Sequence, residues 1–132
     1  MLKNRRNRTL RPPEECSLTI CVRYLSGAWT PNILWYLSSQ PRRFTELKRD
    51  LQGISGKMLT QRLRRLQKHG LVTRGVMPTS PPSVEYSLTD LGRTLQPALA
   101  ALVAVGHQIK LLSRRANANM DTIGVGEVRH EL

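Results

Sequence analysis

The sequence predicts an α+β fold that is mainly helical and carries one small β-hairpin. Apolar residues recur at helical spacing up to residue 70, where the period changes to the alternation typical of strands. A Pro- and Ser-rich segment, MPTSPPS, separates two such strand-like runs. After the second run, apolar residues again recur every three or four positions as far as residue 112. These observations place four helices, a hairpin and a long final helix in order along the chain.

The first two helices are short, and glycine and proline mark their ends. The first begins at Ser17, ends before Gly27 and has one apolar stripe, formed by Leu18, Cys21, Val22 and Leu25. Thr30 is expected to cap the second helix, with Pro31 at the first helical position, where its missing N–H costs nothing. Pro41 closes that segment.

The third and fourth helices carry the most informative pattern. The third is expected over Thr45–Leu51, and only residues 52–54 separate it from Ser55, a favourable N-cap for the fourth, which Gly70 ends. Two helices joined by so short a Gly-containing turn are typical of a helix-turn-helix. One stripe of the fourth helix is apolar, and the opposite stripe is polar and cationic: Lys57, Gln61, Arg64 and Lys68. Such a row suits a DNA major groove, although a solvated charged face has the same pattern.

The hairpin and the last helix complete a winged helix-turn-helix domain with terminal helices for dimerisation. The strands around residues 72–76 and 84–88 form the wing, and Thr89 caps the last helix, which Pro97 should kink or break. The apolar residues of that helix follow a heptad. We expect a flexible basic arm over residues 1–15, the domain over 16–113 and a flexible tail over 114–132.

Charge and composition narrow the class of partner. The 132 residues include 21 Lys or Arg against 9 Asp or Glu, which gives a net charge of +12. Ten of those basic residues and only two acids lie between Arg42 and Arg74, so the basic block is inside the domain. This points to a polyanion, namely DNA, RNA or an anionic membrane. The membrane is least favoured, because no stretch approaches the roughly 18–20 apolar residues of a spanning helix.

The number and spacing of cysteines and histidines argue against a disulfide-rich protein, a zinc protein and an enzyme. Two cysteines five residues apart exclude a disulfide framework and a Cys-rich zinc site, so we expect no metal or cofactor. Reduced thiols favour a cytoplasmic protein. The three histidines lie far apart, without carboxylates to orient them, and no phosphate-binding Gly loop is present. We therefore expect no enzymatic activity.

At this level of detail the chain resembles a family, the HxlR-type transcriptional regulators, over roughly residues 16–106. The resemblance is carried by Cys16, Gly27, Trp29, Pro41–Leu47, Gly53, Ile54, Ser55, Leu59, Leu63, Leu66, Gly70, Leu71, Val72, Arg74, Pro82, Val84–Thr89, Leu91, Gly92 and Pro97. The family usually has Lys where this chain has Ala28. The resemblance implies a homodimer that binds operator DNA in a bacterial or archaeal cytoplasm, associated with the nucleoid. It also implies that Cys16 is a possible redox sensor, against the alternative of a small buried side chain.

Individual residues can be assigned to the DNA interface from their positions. Residues near the start of a recognition helix usually contact bases and later ones contact phosphates. We therefore assign Ser55, Lys57, Thr60 and Gln61 to bases, and Arg64 and Lys68 to phosphates. Arg42 and Arg43 are candidates for the DNA backbone, and Arg74, with Thr79, Ser80 and Ser83, for the flanking minor groove. Arg62 is expected to pair with Glu46 or Asp50 instead, Arg65 is ambiguous, and the wing, which lacks Lys and Arg beyond Arg74, should contribute little.

Dimerisation is expected from the terminal helices, through Leu18, Val22, Leu95, Leu102, Val105, Ile109 and Leu112. The alternative is that this apolar stripe packs only on its own domain. The predicted function is a sequence-specific, homodimeric DNA-binding regulator, with repression favoured over activation, on a pseudo-palindromic operator. Modulation by an oxidant or small molecule stays open. The rival prediction is a non-specific basic nucleic-acid binder of the architectural or RNA-associated kind.

Overall fold

The computed structural model describes the backbone of residues 16–131 and the side chains of residues 16–121. The chain divides after Thr94 into two compact units, the first holding α1 to α5 and the second α6. The elements are α1 (Ser17–Leu25), α2 (Thr30–Ser39), β1 (Arg42–Arg43), α3 (Phe44–Asp50), α4 (Gly56–Lys68), β2 (Val72–Met77), β3 (Ser83–Leu88), α5 (Asp90–Thr94) and α6 (Gln96–Glu131). The predicted fold class, mainly helical with a small β-sheet, is confirmed.

Leucine and isoleucine side chains from α2, α3 and α4 form the core of the first unit. Each buried aliphatic side chain of this size stabilises the fold by about 1.5–3 kcal/mol. The buried set is completed from the sheet side, and it consists of Ile33, Leu34, Leu37, Leu47, Leu51, Ile54, Leu59, Leu63, Leu66, Leu71, Val72, Tyr86 and Leu88. Because the apolar stripe of α4 lies in this core, its opposite stripe faces outward.

The sheet has three antiparallel strands in the order β1-β3-β2. The wing hairpin pairs β2 with β3 from Val72 opposite Leu88 to Met77 opposite Ser83. The short strand β1, which was not predicted from the sequence, adds Arg42 opposite Tyr86 and Arg43 opposite Glu85. Two residues are too few to show an alternating pattern, so only the tertiary pairing reveals this strand.

The start and end of α4 agree with the prediction. Ser55 is the N-cap, and its Oγ accepts a hydrogen bond from the Met58 N–H at 3.1 Å. Gly70 follows the helix with φ of +73°, in the left-handed region that glycine adopts at low cost. The predicted cap of α2 is wrong by one residue. Trp29, with φ of +75°, is the N-cap, so Thr30 is the first helical residue and Pro31 the second.

The helix break near Pro97 is also as predicted. Helix α5 ends at Thr94, and α6 begins at Gln96 with Pro97 as its second residue. Thr89 caps α5, because its Oγ1 accepts a hydrogen bond from the Gly92 N–H at 3.0 Å. The backbone after residue 113 is helical, since α6 continues to Glu131, and the flexibility expected of residues 114–132 stays a prediction. Residues 114–121 contain no proline or glycine, so they hold no helix-breaking residue although the apolar pattern has ended. The predicted arm, residues 1–15, lies outside the described residues.

One described helical stretch has the length and composition of a membrane-crossing segment. It is Asp90–Asp121, with mean hydropathy 1.3 over its most apolar window, of which 11% is buried. The expectation that no stretch would reach this level is therefore wrong, because the alanines of α6 raise the average between the larger apolar residues. The break at Leu95 interrupts that stretch, and Lys110, Arg114 and Arg115 lie near its end. Length and composition alone are weak evidence for a membrane.

Candidate nucleic-acid interface

Helix α4 presents a continuous polar row on the surface of the first unit. Lys57, Gln61, Arg64 and Lys68 are all exposed, whereas the leucines of the opposite stripe are at most 1% exposed. At about 1.5 Å per residue the row extends over roughly 16 Å of helix, which suits insertion into a major groove. Ser55 is exposed at the N-terminal end of the same helix.

Thr60 differs from the rest of the predicted base-contacting set. It is only half-exposed, and its Oγ1 donates a hydrogen bond to the Gly56 carbonyl oxygen at 2.8 Å. The hydroxyl hydrogen is therefore engaged within the helix. The methyl group and the remaining lone pair are left for an outside partner, which fits contact with a thymine methyl better than donation to a base.

A cleft of about 500 Å³ lies between α4 and the wing, and it brings together residues from both. Arg64 of α4 and Arg74 of β2 line it, so two of the predicted DNA contacts share one concave surface. The remaining lining residues are Phe44, Thr60, Gln67, Val84 and Tyr86. Gln67 was missed by the sequence analysis, although its spacing of three from Arg64 places it on the same flank of the helix.

The two arginines before α3 have different surroundings. Arg42 Nη1 lies 3.4 Å from Asp50 Oδ2, and both side chains are about three-quarters buried, with relative exposures of 21% and 25%. Arg43 is exposed, and its backbone N–H donates to Glu46 Oε1 at 3.0 Å, which ties down the start of α3. Arg43 also lines a smaller cleft of about 230 Å³ with Phe44, Thr45, Ser83 and Val84. Of Arg42 and Arg43, the exposed Arg43 is better placed to contact a phosphate of a DNA backbone.

The expected pairing of Arg62 with Glu46 or Asp50 is wrong. Its Nε donates to the Ala28 carbonyl oxygen at 2.8 Å, in the turn between α1 and α2. The two carboxylates are occupied elsewhere, Glu46 by the backbone of Arg43 and Asp50 by Arg42. Arg65, which the sequence left ambiguous, reaches the same turn, where its Nη2 donates to Ser26 Oγ at 2.9 Å. Neither guanidinium belongs to the polar row.

The wing is polar and carries no basic residue beyond Arg74. Thr79 and Ser80 are exposed and Ser83 is half-buried. Thr79 Oγ1 donates to the Pro81 carbonyl oxygen at 2.8 Å and lies 3.2 Å from Ser83 Oγ, so these hydroxyls support the shape of the loop. Val76 is exposed on β2. The wing therefore offers shape and hydroxyl groups but little charge.

Cys16 is the N-cap residue of α1 and is exposed. Its side chain forms no regular capping hydrogen bond. The backbone N–H groups of Thr19 and Leu18 nevertheless lower the pKa of the thiol, because they stabilise the thiolate at the helix N-terminus. Cys21 is half-buried, and both cysteines are free. Arg11, Glu14 and Glu15, which the sequence places close to Cys16, lie outside the described residues.

The residues predicted for dimerisation are mostly exposed. Leu18 and Val22 of α1 are exposed, as are Leu102, Val105, Ile109 and Leu112 of α6, and only Leu95 is half-buried. Helix α6 also exposes Val103, Leu111 and Met120, which are not among the residues predicted for dimerisation. Within the described residues, no group of three or more His, Cys, Asp or Glu side chains could hold a metal ion.

Comparison with known proteins identifies the family. The model of the HxlR-like helix-turn-helix family matches residues 24–113. The HTH-type transcriptional regulator YkvN of Bacillus subtilis is 41% identical over 91 residues, which is 69% of this chain and 77% of that protein. The regulatory protein MalR of Fusobacterium mortiferum is 42% identical over 86 residues, covering 64% of this chain and 81% of its own.

Solved structures with a similar fold are also those of transcriptional regulators. The redox regulator HypR in its oxidised form superimposes with a TM-score of 0.67 at 34% identity, over 70% of this chain and 96% of its own. The reduced form of the transcriptional regulator YodB from B. subtilis superimposes with a TM-score of 0.62 at 33% identity, over 70% of this chain and 92% of its own. These likenesses support a DNA-binding regulator and not the rival non-specific binder. The chain belongs to the HxlR-like helix-turn-helix family of transcriptional regulators.

Proposed function

We propose that this regulator is a homodimeric repressor that reads a pseudo-palindromic operator with the exposed face of α4. The observation that carries the proposal is the polar row of that helix, set beside the cleft that Arg64 and Arg74 share. The N-terminal residues, Ser55, Lys57 and Gln61, contact base edges in the major groove. Lys68 and Arg64, later in the helix, contact phosphates and fix the register of the protein on the duplex.

The flanking contacts come from the rest of the first unit. Arg74 on strand β2 of the wing is exposed and contacts the flanking DNA, and the loop hydroxyls lie further along the same hairpin. Arg43 takes a backbone phosphate next to α3. Arg42 contributes through its ion pair with Asp50, which supports β1, and it is a weaker candidate for direct contact.

Exposed apolar side chains support the homodimer. A soluble monomer rarely leaves a row of Leu, Val and Ile side chains in water, and here such rows occur on α1 and, separately, on α6. A second copy of the chain would cover them. A two-fold dimer presents two recognition helices about 34 Å apart, one turn of the duplex, and therefore selects two half-sites in inverted orientation.

Selection from a random DNA pool tests this proposal. The full-length protein is incubated with random duplexes in 0.15 M salt, and the retained fragments are sequenced over successive rounds. We expect an enriched inverted repeat with half-sites about 10 base pairs apart, or a multiple of that spacing. Retention of fragments with no shared sequence would overturn the proposal.

Thiol modulation of the same regulator is a second proposal, and the placement of Cys16 supports it. The thiol is exposed, its pKa is lowered by the N-terminus of α1, and HypR is described as a redox regulator solved in oxidised and reduced forms. Diamide treatment, followed by operator titration, tests it. We expect diamide to change the operator affinity of the wild type but not of Cys16→Ser, whereas Cys21→Ser should respond like the wild type. Equal responses of wild type and Cys16→Ser would contradict it.

The cellular location follows from the proposed partner. A repressor must reach chromosomal DNA, so we propose a bacterial or archaeal cytoplasmic protein associated with the nucleoid. In that setting the apolar residues of Asp90–Asp121 are covered by the second subunit. Cell fractionation tests this, because a membrane protein would remain in the pellet after a high-salt wash.

A further inference from the structure

Two arginines of α4 hold the turn between α1 and α2, which is far from the helix in sequence. Arg62 and Arg65 both reach this turn, defined here as Ser26–Ala28. Arg62 Nε donates to the Ala28 carbonyl oxygen at 2.8 Å, and Arg65 Nη2 donates to Ser26 Oγ at 2.9 Å. Both side chains are partly buried, so these are not the contacts of freely solvated cations.

The backbone of the turn is shaped to receive the two guanidinium groups. Gly27 has φ of +98°, a conformation that residues with a side chain rarely adopt. A Cβ at Gly27 would lie 3.1 Å from Arg62 Cζ and 3.1 Å from Arg65 Nη1. The absence of a side chain at Gly27 therefore lets both arginines approach the backbone of the turn.

Electrostatics favours this contact as well. The C-terminal carbonyls of a helix carry partial negative charge and attract cations. Arg65 Nη2 also lies 3.4 Å from the Arg23 carbonyl oxygen, in the last turn of α1. A third contact lies at the C-cap of α4, where the rings of Tyr24 and His69 stack with centroids 4.9 Å apart. Helix α4 and its C-cap residue are thus attached at three positions to the last turn of α1 and the turn that follows it.

We propose that Arg62 and Arg65 are positioning residues for DNA recognition. They contact no DNA, but they fix the orientation of α4 against the turn, so that the polar row meets the base edges at the correct angle. Arg64, two positions after Arg62 and one before Arg65, faces the cleft instead and contacts DNA. Three neighbouring arginines of one helix thus have two different roles, which net charge and helical periodicity do not separate. The inference rests on the proposed function, since it presumes specific binding by the polar row.

Salt-dependent binding separates positioning from phosphate contact. The logarithm of the binding constant falls linearly with the logarithm of salt concentration, with a slope of about 0.9 per phosphate contact. The variants Arg62→Ala, Arg65→Ala and Arg64→Ala are titrated against selected and scrambled duplexes at four salt concentrations. For Arg62→Ala and Arg65→Ala we expect an unchanged slope and a loss of about tenfold on the selected duplex only, the effect of removing a charge-assisted hydrogen bond. Arg64→Ala should lower the slope and weaken both duplexes.

A second variant reaches the same contact from the opposite side without changing charge. Gly27→Ala places a methyl group against both guanidinium groups, and we expect it to lose preference for the selected duplex with the slope intact. Thermal unfolding checks that each variant is folded at the temperature of the titration. The inference is overturned if Arg62→Ala and Arg65→Ala lower the slope as Arg64→Ala does, or if they keep the wild-type preference. Failure of the wild type to prefer any duplex would instead overturn the proposed function.

Discussion

Arg42 and Asp50 form an ion pair, with Nη1 and Oδ2 3.4 Å apart, that joins the short strand β1 to the end of α3. We expect Arg42→Ala to destabilise the protein by about 1 kcal/mol, because it leaves a mostly buried carboxylate without its partner. Urea unfolding measures this. Arg43→Ala is the matched control, since the exposed side chain has no ion-pair partner among the described residues. We expect Arg43→Ala to leave the unfolding midpoint unchanged but to weaken DNA binding. A lowered midpoint with unchanged DNA binding would contradict the assignment of Arg42 to stability and Arg43 to DNA contact.

Gln61 lies in the N-terminal half of the polar row and Lys68 at its C-terminal end, and we expect substitutions at the two positions to change DNA binding in different ways. We expect Gln61→Ala to lose about 1–3 kcal/mol of discrimination at one base pair, since an amide can form two hydrogen bonds with adenine. Lys68→Ala should weaken every sequence alike and lower the salt slope by about 0.9. Titrations on selected and scrambled duplexes distinguish them. Equal loss on both duplexes for Gln61→Ala would exclude its role in reading bases.

Gly92 packs against the backbone that follows α4. A Cβ at this position would collide with the Leu71 carbonyl oxygen and lie 3.2 Å from Leu88 Cδ2, so α5 would have to move away. We expect Gly92→Ala to lower the free energy of unfolding by about 1–3 kcal/mol, as other overpacked substitutions do. Gly56→Ala is the control, because apart from the adjoining residues and backbone of its own helix, no described atom lies within 4 Å of the added methyl group. If both variants unfold at the same urea concentration, the conclusion that α5 is tightly packed at Gly92 is wrong.

The Cys16 thiol should ionise at lower pH in the folded protein than in the unfolded chain. The N–H groups of Thr19 and Leu18 stabilise the thiolate only when α1 is formed, and therefore lower the pKa. Iodoacetamide reacts with the thiolate, so the midpoint of the rate against pH reports that pKa. We expect a lower midpoint for folded Cys21→Ser than for the same variant in urea. A folded midpoint at or above the unfolded one would contradict this.

Ile109 is 57% exposed on α6 and is central to the apolar residues assigned to the dimer. We expect Ile109→Asp to convert the dimer to a monomer, because a buried unpaired carboxylate costs several kcal/mol at an interface. Sedimentation velocity measures the change in mass. Lys110→Ala, at the exposed neighbouring position, should remain dimeric. A wild-type protein that sediments as a monomer at micromolar concentration would exclude this interface.

The order of the helices and the wing could be predicted from the sequence because the signals are local. The leucines of α4 recur every three or four residues, Ser55 and Gly70 mark its ends, and alternation marks β3. Each of these signals needs only a few neighbouring residues. The continuation of α6 beyond residue 113 was missed for the same reason. Without an apolar period, the sequence gives no local signal for a helix.

The sequence by itself determined the fold class, the family resemblance and the polar row that is proposed to contact DNA. The tertiary structure decided which basic residues belong to that row. Arg62 bonds to Ala28, 34 residues away, and Arg65 to Ser26, 39 residues away. Asp50 forms its ion pair with Arg42, and β1 pairs with β3, which is more than 40 residues away in sequence. Helical periodicity gives the direction in which a side chain points, but its partner depends on which distant segment folds against it.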